Sequence, residues 1–282
     1  MPDGIKPLAA ESSALLKINH ATVIKNGNKV LNDLAFEIQE GEHTAILGPN
    51  GAGKSSLIRL ISRQDYPLAH ADGTPAVTIL GRESWNVFEL RPLLGIVSAD
   101  VQFFYLTRTL TGRTRGLEAV LSGFFASFGL FQHQKISEAM RAQALTALRL
   151  MEAGHLAEKA VEQMSSGELR RIMIARSLAP NPRALVLDEP TTGLDLLAKY
   201  HFLETLRQIA RLGKTIILVT HHVEEIFPEI LRVILMRQGG ILVDGNKSAV
   251  LTAPNLSAMF GAPVKVQGEQ GYYSASCSEP TT

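Results

Sequence analysis

The fold is decided by residues 43–62, which read HTAILGPNGAGKSSLIRLIS. The apolar run at His43–Leu47 predicts a short strand, and the pattern from Ser55 to Ser62 predicts a helix. Between them, GPNGAGKS fits the phosphate-loop pattern G-x-x-x-x-G-K-[ST] in the strand-to-helix context that the pattern requires. Glycines in such a loop let backbone N–H groups turn toward phosphates, and the helix start adds a favourable dipole. The stretch therefore predicts a nucleotide-binding α/β domain rather than a ligand-free turn.

Each residue type in this loop suits a triphosphate. Lys54 would reach the β and γ phosphates as a catalytic cation, and the Ser55 hydroxyl would join the shell of a Mg²⁺ ion. We expect the ATP contacts to come from the loop and the residue after it, namely Gly48, Pro49, Asn50, Gly51, Ala52, Gly53, Lys54, Ser55 and Ser56.

A second motif, LVLDEP at residues 185–190, places two adjacent acids after an apolar run. Ala184–Leu187 predicts a parallel strand that delivers Asp188 at its carboxyl end, where ligands bind in open α/β sheets. Asp188 would hold Mg²⁺ through water, and Glu189 would polarise the attacking water as general base. Two acids before a proline often only end a strand, but beside a phosphate loop they predict an ATP-hydrolysing site.

Length and composition bound the class of protein. The chain has 282 residues, 45% of them hydrophobic and 20% charged, enough for one large domain with an insertion. A formal net charge of +1 leaves no footprint for general nucleic-acid binding, so no direct nucleic-acid partner is expected. The single cysteine, Cys277, excludes an internal disulfide and fits a reducing compartment. The sequence shows no signal peptide and no apolar run long enough to span a membrane, so we expect a cytoplasmic protein.

The rest of the chain is predicted to form an α/β core interrupted by a helical insert. Apolar runs at Ala76–Leu80, Leu94–Ser98 and Thr215–Val219 predict further strands. The stretch Val233–Gly245 predicts a hairpin that turns at Gly239-Gly240. In the middle, helical spacing replaces strand patterns, as shown by Ile136, Met140, Ala144, Leu148 and Met151.

These patterns divide the chain into five segments. The expected segments are a flexible N-terminus at 1–13, an α/β ATPase core at 14–102 and 167–262, an inserted helical subdomain at 103–166, and a C-terminal tail at 263–282. The composition predicts that the tail is loose from about residue 268.

The combined motifs resemble those of the ATP-binding cassette (ABC) family over about residues 15–265. The sequence SSGEL precedes LVLDEP, a Gly193-Leu194-Asp195 turn follows it, and a histidine ends the next strand. The resemblance implies a P-loop NTPase with a RecA-like core, an antiparallel β subdomain and an inserted α-helical subdomain. It also implies ATP and Mg²⁺ as cofactors and a homodimer that forms on ATP.

Residues Ser165, Ser166, Gly167 and Glu168 stand where the family has its signature motif, usually LSGGQ. By resemblance, they contact ATP held by the opposite subunit. Ser165 and Glu168 also form a capping-box pattern that would open a helix from Leu169 to Leu178. The two interpretations are compatible, because a capped helix start with small residues lets backbone amides approach a phosphate.

Resemblance also assigns roles near the ends of two other elements. In Thr220-His221-His222, His221 takes the position of the switch histidine that contacts the γ-phosphate, and His222 would lie behind it or at the surface. Asp195 matches the D-loop, which couples the two ATP sites of a dimer.

The sequence departs from the family pattern at two positions. Ile24 occupies the place where the family usually stacks an aromatic ring on adenine, so base stacking should be weaker and nucleotide selectivity relaxed. The glutamine that normally follows the strand before the insert, and joins the Mg²⁺ shell, is displaced to Gln102, and Asp100 competes for the same role.

One apolar segment, Gly116–Phe131, has two interpretations. It contains four phenylalanines and could form a buried helix pair of the insert. It also lies where cassette subunits dock their membrane component, so it could be an exposed patch for a partner.

The resemblance favours the energy-coupling ATPase subunit of a transporter, peripheral at the inner face of the cell membrane. Its partners would be a second copy of the chain, a separate membrane permease and a solute-binding protein. The C-terminal sequence and the insert look most like cassettes of metal-chelate (siderophore, haem or cobalamin) or molybdate-like systems. The alternative is a soluble ABC-type ATPase acting in repair, translation or metal homeostasis without a permease.

Overall fold

The computed structural model describes residues 14–98, 114–127, 129–131 and 133–277. The expected flexible N-terminus at 1–13 and both candidate residues of the displaced-glutamine position, Asp100 and Gln102, lie outside these ranges. The strands are β1 (Ala14–Lys25), β2 (Asn28–Gln39), β3 (Thr44–Leu47), β4 (Val77–Ile79), β5 (Leu94–Val97), β6 (Ala184–Asp188), β7 (Thr215–Thr220), β8 (Arg232–Arg237), β9 (Gly240–Asn246), β10 (Val264–Glu269) and β11 (Tyr272–Cys277).

The helices alternate with strands from β3 to β5 and from β6 to β7, and occur in groups elsewhere. They are α1 (Lys54–Ile61), α2 (Val87–Leu93), α3 (Gly116–Leu121), α4 (Glu138–Leu150), α5 (Ser166–Leu178), α6 (Leu196–Arg211), α7 (Lys247–Val250) and α8 (Ala253–Phe260). Short 3-10 turns lie at Ser122–Phe125, Gly154–Leu156, Val161–Gln163 and Val223–Glu225. Within the described residues, no helix has both the length and the apolar character needed to cross a bilayer.

A six-stranded sheet forms the centre of the fold, in the order β5-β6-β7-β3-β8-β9. All neighbours are parallel except β8 and β9, which form an antiparallel hairpin. The residues of β3, β6 and β7 are buried almost throughout, as expected for parallel strands covered on both faces. This register brings the carboxyl ends of β3, β6 and β7 to one edge of the sheet, where the motif residues follow.

A separate antiparallel sheet, in the order β2-β1-β4, covers one side of the core. Strands β1 and β2 are joined at Asn26-Gly27, where both residues have positive φ, the geometry that tight hairpins prefer. Together with the α/β core and the helical region between β5 and β6, this sheet confirms the predicted P-loop fold class with its antiparallel β subdomain.

Helices α3, α4 and α5 contact one another and form the described part of the helical region. Ala144, Leu148 and Met151 are buried there, as their spacing predicts. Ile136 is not part of the packed face, because α4 begins only at Glu138, where the Ser137 hydroxyl accepts a hydrogen bond from the Met140 N–H and so caps the helix.

The segment Gly116–Phe131 combines both predicted characters. Its first half is α3, whose apolar residues are buried. Among its described residues no second helix follows: the chain continues as a 3-10 turn, Ala126 is buried and Leu130 packs against the core, while Phe131 is exposed. The apolar sequence therefore serves partly as core and partly as surface.

The tail is not loose from residue 268, contrary to the prediction from composition. Strands β10 and β11 pair along their whole length. Val264 lies opposite Cys277 at one end, and Glu269 lies opposite Tyr272 at the turn. One face of this hairpin, including Val266, Tyr273 and Ala275, packs on the larger of the two hydrophobic cores. Buried apolar area therefore outweighs a serine-rich composition, which describes mainly the exposed face.

Two element boundaries also differ from the prediction. The turn between β8 and β9 lies at Gln238-Gly239 instead of Gly239-Gly240, and both residues of this turn have positive φ. Helix α5 begins at Ser166, three residues before the predicted start, because the capping box places the N-cap at Ser165.

Candidate functional site

The phosphate loop connects the end of β3 to the start of α1 and is held close to its neighbours. The Gly48 N–H donates to the Thr220 carbonyl at the end of β7, at 3.2 Å. A Cβ atom at Gly48 would lie 2.7 Å from the Met236 carbonyl oxygen, so no side chain fits there. Gly53 has φ +104° immediately before α1, a backbone conformation that favours glycine. Packing and backbone geometry therefore explain why these two glycines are needed in this loop.

Lys54 is the first residue of α1, and its ammonium group is nearly buried inside the loop. Its Nζ donates to the carbonyl oxygens of Gly48 at 2.8 Å and Pro49 at 3.1 Å. Burial lowers the pKa of Lys54, while the negative charges of Glu189 and then Asp188 oppose this shift. The loop thus buries an ammonium group beside its own backbone, in a position that is suited to an anionic ligand.

Glu189 lies between Lys54 and His221. Its Oε1 atom is 3.7 Å from Lys54 Nζ and 2.8 Å from His221 Nδ1. Because an ionised carboxylate can only accept a hydrogen bond, Nδ1 of His221 is the donor in this pair. Glu189 also has φ +46°, an uncommon value for a residue with a side chain, and its N–H donates to the Val219 carbonyl at 2.8 Å. The backbone of β7 therefore fixes the position of the carboxylate.

The two histidines after β7 have different positions relative to this carboxylate. His221 contacts Glu189, whereas the ring of His222 packs against that of His221, with centroids 3.9 Å apart. The structure thus places at the carboxylate the histidine that the sequence had assigned as the switch residue.

A cavity of about 470 Å³ lies in front of the phosphate loop. Its lining contains most of the predicted ATP-contacting loop together with Glu189, and also residues that the sequence did not indicate. The predicted residues in the lining are Asn50, Gly51, Gly53, Lys54, Ser55, Ser56 and Glu189, and the others are Lys29, Val30, Gln238 and Gly239. Lys29 could have been suspected, because it lies directly across the Asn26-Gly27 turn from Ile24.

Ile24 itself is 45% exposed on β1 and does not appear in the lining that the described residues give to this cavity. Its cross-strand partner Lys29 does line the cavity, so Ile24 is close to the mouth without entering it. An aliphatic side chain at this place offers no ring face for stacking.

Asp188 and Ser55, the two described residues expected to hold Mg²⁺, lie together next to the start of α1. They line a second cavity of about 400 Å³, which shares Ser55 and Ser56 with the first. Both supply the oxygen ligands that Mg²⁺ prefers. Asp188 is held by the pairing of β6 with β7, opposite Val219.

The signature residues open helix α5 as a complete capping box. The Glu168 N–H donates to the Ser165 hydroxyl at 3.2 Å, and the Ser165 N–H donates to Glu168 Oε2 at 2.7 Å. Lys159 adds an ion pair with the same carboxylate at 2.8 Å. Hydrogen bonds from Lys159 and from the Ser165 backbone lower the pKa of Glu168. Glu168, which replaces the glutamine usual in the family, is therefore paired with Lys159.

The structure does not bring the signature residues into the phosphate-loop cavity. Among the described residues, Gly167 and Glu168 instead line a separate cavity with Leu194 and Ala198, next to the D-loop turn. Asp195 caps α6 by accepting a hydrogen bond from the Ala198 N–H at 2.8 Å. The signature and the D-loop are thus neighbours of each other and not of their own chain's phosphate loop.

Comparison with known proteins gives a consistent family. A family model described as "ABC transporter" matches residues 31–192. The uncharacterized ABC transporter ATP-binding protein YlmA of Bacillus subtilis (strain 168) is 33% identical, over 95% of this chain and 99% of that protein. The hemin import ATP-binding protein HmuV of Photobacterium damselae subsp. damselae is 29% identical, over 92% of this chain and 94% of that protein.

A similar solved structure is the dimeric post-hydrolysis state of the ATP-binding cassette MJ0796 bound to ADP and Pi. It is 27% identical, with a TM-score of 0.66, covering 82% of this chain and 98% of that one.

Proposed function

Because this chain belongs to the ABC transporter family as an ATP-binding subunit, we propose that it hydrolyses ATP as a homodimer and drives a separate membrane permease. The observation that carries the proposal is the position of Glu189. This carboxylate lies at the phosphate-loop cavity with a cation, Lys54, on one side and His221 on the other. Such an arrangement provides a general base beside the place where the terminal phosphate of ATP would sit.

The protein groups divide the work of hydrolysis among them. Lys54 would exchange its two carbonyl contacts for phosphate oxygens, which develop negative charge as the terminal bond breaks. Glu189 would accept the proton of the attacking water. His221 keeps the Glu189 carboxylate oriented through its Nδ1–H, so that the second carboxylate oxygen is available to a water molecule.

The residues for Mg²⁺ fit that ion. Ser55, in the first turn of α1, and Asp188, at the carboxyl end of β6, line one cavity, and their hydroxyl and carboxylate groups are hard oxygen ligands. Bound Mg²⁺ would neutralise charge on the β and γ phosphates.

Several features support a dimer in which each ATP is shared by two chains. The helix start at Ser165 offers backbone amides and a positive dipole end, yet it lies apart from its own chain's phosphate loop. After Asp195, the first residues of α6 are strongly exposed apolar side chains: Leu196 is 87% exposed and Leu197 is 65% exposed. A partner cassette would cover these residues and bring its own ATP to the signature.

The permease would dock on the surface formed by α2 and the segment after α3. Phe88 and Phe131 are exposed, and with Phe125 and His133 they line an open groove. Exposed aromatic side chains in one groove are typical of a protein–protein contact. This placement would put the chain at the inner face of the cell membrane.

The cargo that we propose is a metal chelate taken up with the help of a solute-binding protein. The support is the similarity to the hemin import ATP-binding protein HmuV together with the sequence resemblance to metal-chelate cassettes. Cargo choice in such systems belongs to the permease and the binding protein, so the cassette sequence supports a class and not a compound.

The test uses Glu189→Gln, which keeps the shape of the side chain and removes the base. We expect turnover to fall by roughly a hundredfold or more, with ATP still bound and with an ATP–Mg²⁺-dependent dimer accumulating in analytical ultracentrifugation. The matched control is Glu83→Gln at an exposed glutamate away from the site. A monomer at saturating ATP–Mg²⁺, or unchanged turnover, would contradict the proposal.

The permease is tested by isolating the chain from membranes. Co-purification with an integral membrane protein, weakened by replacing Phe88 and Phe131 with serine, is the expected result. Recovery of the wild-type chain without any membrane component would favour the soluble ATPase instead.

A further inference from the structure

Glu225 is a fully buried carboxylate in the 3-10 turn that follows the histidine pair. Its Oε1 atom accepts a hydrogen bond from the Thr191 hydroxyl. Its Oε2 atom is also buried and has no hydrogen-bond partner among the described residues. A buried charge with an unsatisfied oxygen is costly, so its surroundings must compensate for it.

Two cations face this carboxylate from two different helices. Lys199 of α6 places its Nζ 3.9 Å from Glu225 Oε1. Arg170 of α5 is half-buried; burial lowers its pKa, and the charge of Glu225 opposes that shift. Arg170 also donates to the carbonyl oxygens of Pro190 at 2.9 Å and Thr192 at 2.6 Å, on both sides of Thr191. We name Arg170, Thr191, Lys199 and Glu225 the Glu225 cluster.

Each member of the Glu225 cluster belongs to a segment that begins at a different motif. Arg170 is in the helix opened by the signature, and Lys199 is in the helix capped by Asp195. Thr191 is two residues after Glu189, and Glu225 is four residues after His221. The cluster therefore joins the two groups of the hydrolysis site to the two elements that would face the partner's ATP.

A polar cluster built around a buried carboxylate can transmit movement, because its contacts are directional and costly to break. If His221 and Glu189 shift when the terminal phosphate leaves, the turn that carries Glu225 and the loop that carries Thr191 shift with them. Arg170, held to that loop by two carbonyl contacts, would then carry the displacement into the start of α5. Such side-chain networks have preferred discrete arrangements because an intermediate position leaves charges unpaired.

We propose that the Glu225 cluster couples hydrolysis in one cassette to the hold that the same chain's signature helix has on the partner's ATP. Thr191 and Glu225 are positioning residues in this proposal, and neither touches ATP. The proposal rests on the composite dimer of the proposed function and adds to it the physical connection between the two sites.

The main test compares Thr191→Val with Thr191→Ser. Valine keeps the volume but removes the hydroxyl, whereas serine keeps the hydroxyl. For Thr191→Val we expect kcat to fall about tenfold, the Hill coefficient for ATP to fall from about two toward one, and the ATP dissociation constant of the monomer to stay within about twofold. Thr191→Ser should restore kcat and cooperativity most of the way to wild type.

A matched control removes a buried hydroxyl outside the cluster. Thr205 of α6 is also buried, and its hydroxyl donates only to the His201 carbonyl of its own helix in the contacts described. Thr205→Val should leave the Hill coefficient unchanged. Equal losses of cooperativity in Thr191→Val and Thr205→Val would overturn the proposal, because they would show a general effect of removing a buried hydroxyl.

A second variant keeps the test decisive if Thr191→Val misfolds. Glu225→Gln removes the charge at nearly constant shape, and its thermal unfolding is measured beside Thr191→Val and the double variant. We expect the double variant to lose no more cooperativity than the more severe single variant, because both act through one contact. Losses that simply add would overturn the proposal.

Measurements on the wild-type protein and on Thr191→Val distinguish failure of the proposed function from failure of the coupling proposal. A wild-type chain without ATP-dependent dimerisation and turnover contradicts the proposed function. Cooperative wild-type turnover that Thr191→Val leaves unchanged contradicts only the coupling through the Glu225 cluster.

Discussion

His221 Nδ1 lies 2.8 Å from Glu189 Oε1, although 32 positions separate the two residues along the chain. The contact exists because β6 and β7 are adjacent parallel strands, whose carboxyl ends reach the same edge of the sheet. The same oxygen of Glu189 also faces Lys54, which follows β3, the strand on the other side of β7. Sheet order thus brings together a base, a cation and an imidazole from three distant segments.

The contact predicts which histidine of the pair acts in catalysis. His221→Ala should lower kcat about a hundredfold, because Glu189 loses the donor that orients it. His222→Ala, the adjacent ring, should lower kcat by less than about threefold. Steady-state ATPase assays of the two purified variants check the assignment, and the reverse order of effects would refute it.

The lysine of the phosphate loop should determine nucleotide affinity. Lys54→Ala removes a nearly buried cation, and charged hydrogen bonds of this kind contribute about 1.5–3 kcal/mol each, so ATP affinity should fall at least tenfold and turnover should be lost. Isothermal titration calorimetry measures the affinity, with Lys17→Ala on the exposed part of β1 as control. Retained ATPase activity in Lys54→Ala would show that the phosphate-loop assignment is wrong.

The signature glutamate should stabilise the fold in a pH-dependent way. The pKa of Glu168 is lowered by its hydrogen bonds with Lys159 and Ser165, so its contribution is present above the ordinary value of 4.5 and is lost as the pH falls through its folded-state pKa. Glu168→Gln should therefore lower the free energy of unfolding by about 0.5–1 kcal/mol near neutral pH, a discounted figure for a partly exposed pair.

Urea unfolding at several pH values measures this difference. The gap between wild type and Glu168→Gln should narrow as the pH falls below 4.5 and close once the pH is below the lowered pKa of Glu168 in the folded state. Lys159→Met serves as the control, since it removes the other partner and should show the same loss. A gap that is equally large at acid and neutral pH would contradict the role of the charge.

An aromatic ring at position 24 should improve nucleotide binding. Ile24 is close to the mouth of the phosphate-loop cavity, as the cross-strand partner of Lys29, and has no ring to stack on a base. Ile24→Tyr should tighten ATP binding roughly three- to tenfold, in line with about 0.5–1.5 kcal/mol for an aromatic pair. Leu212→Tyr, at another exposed aliphatic residue at the end of α6, is the control for added aromatic surface. Equal affinity in wild type and Ile24→Tyr would place the base elsewhere.

The sequence predicted those parts of the fold and site that depend on neighbouring residues. A strand, a glycine loop and a lysine at the start of a helix are local features, and the structure shows them with small shifts at their ends. The capping box at Ser165 and Glu168 is equally local, since both hydrogen bonds join residues three positions apart. The β10–β11 hairpin was missed, because its composition resembles that of a loose tail and its stability comes from packing on a distant core.

By itself, the sequence determined the family, the phosphate loop and the identity of the acid pair at Asp188 and Glu189. Only the tertiary structure decided that His221 rather than His222 contacts Glu189, and that Thr191 and Glu225 meet in a buried cluster. The physical reason is that motif spacing fixes what lies within a few residues of a motif. Contacts between residues 32 or 34 positions apart depend instead on the order and register of the strands that these residues follow, β6 and β7.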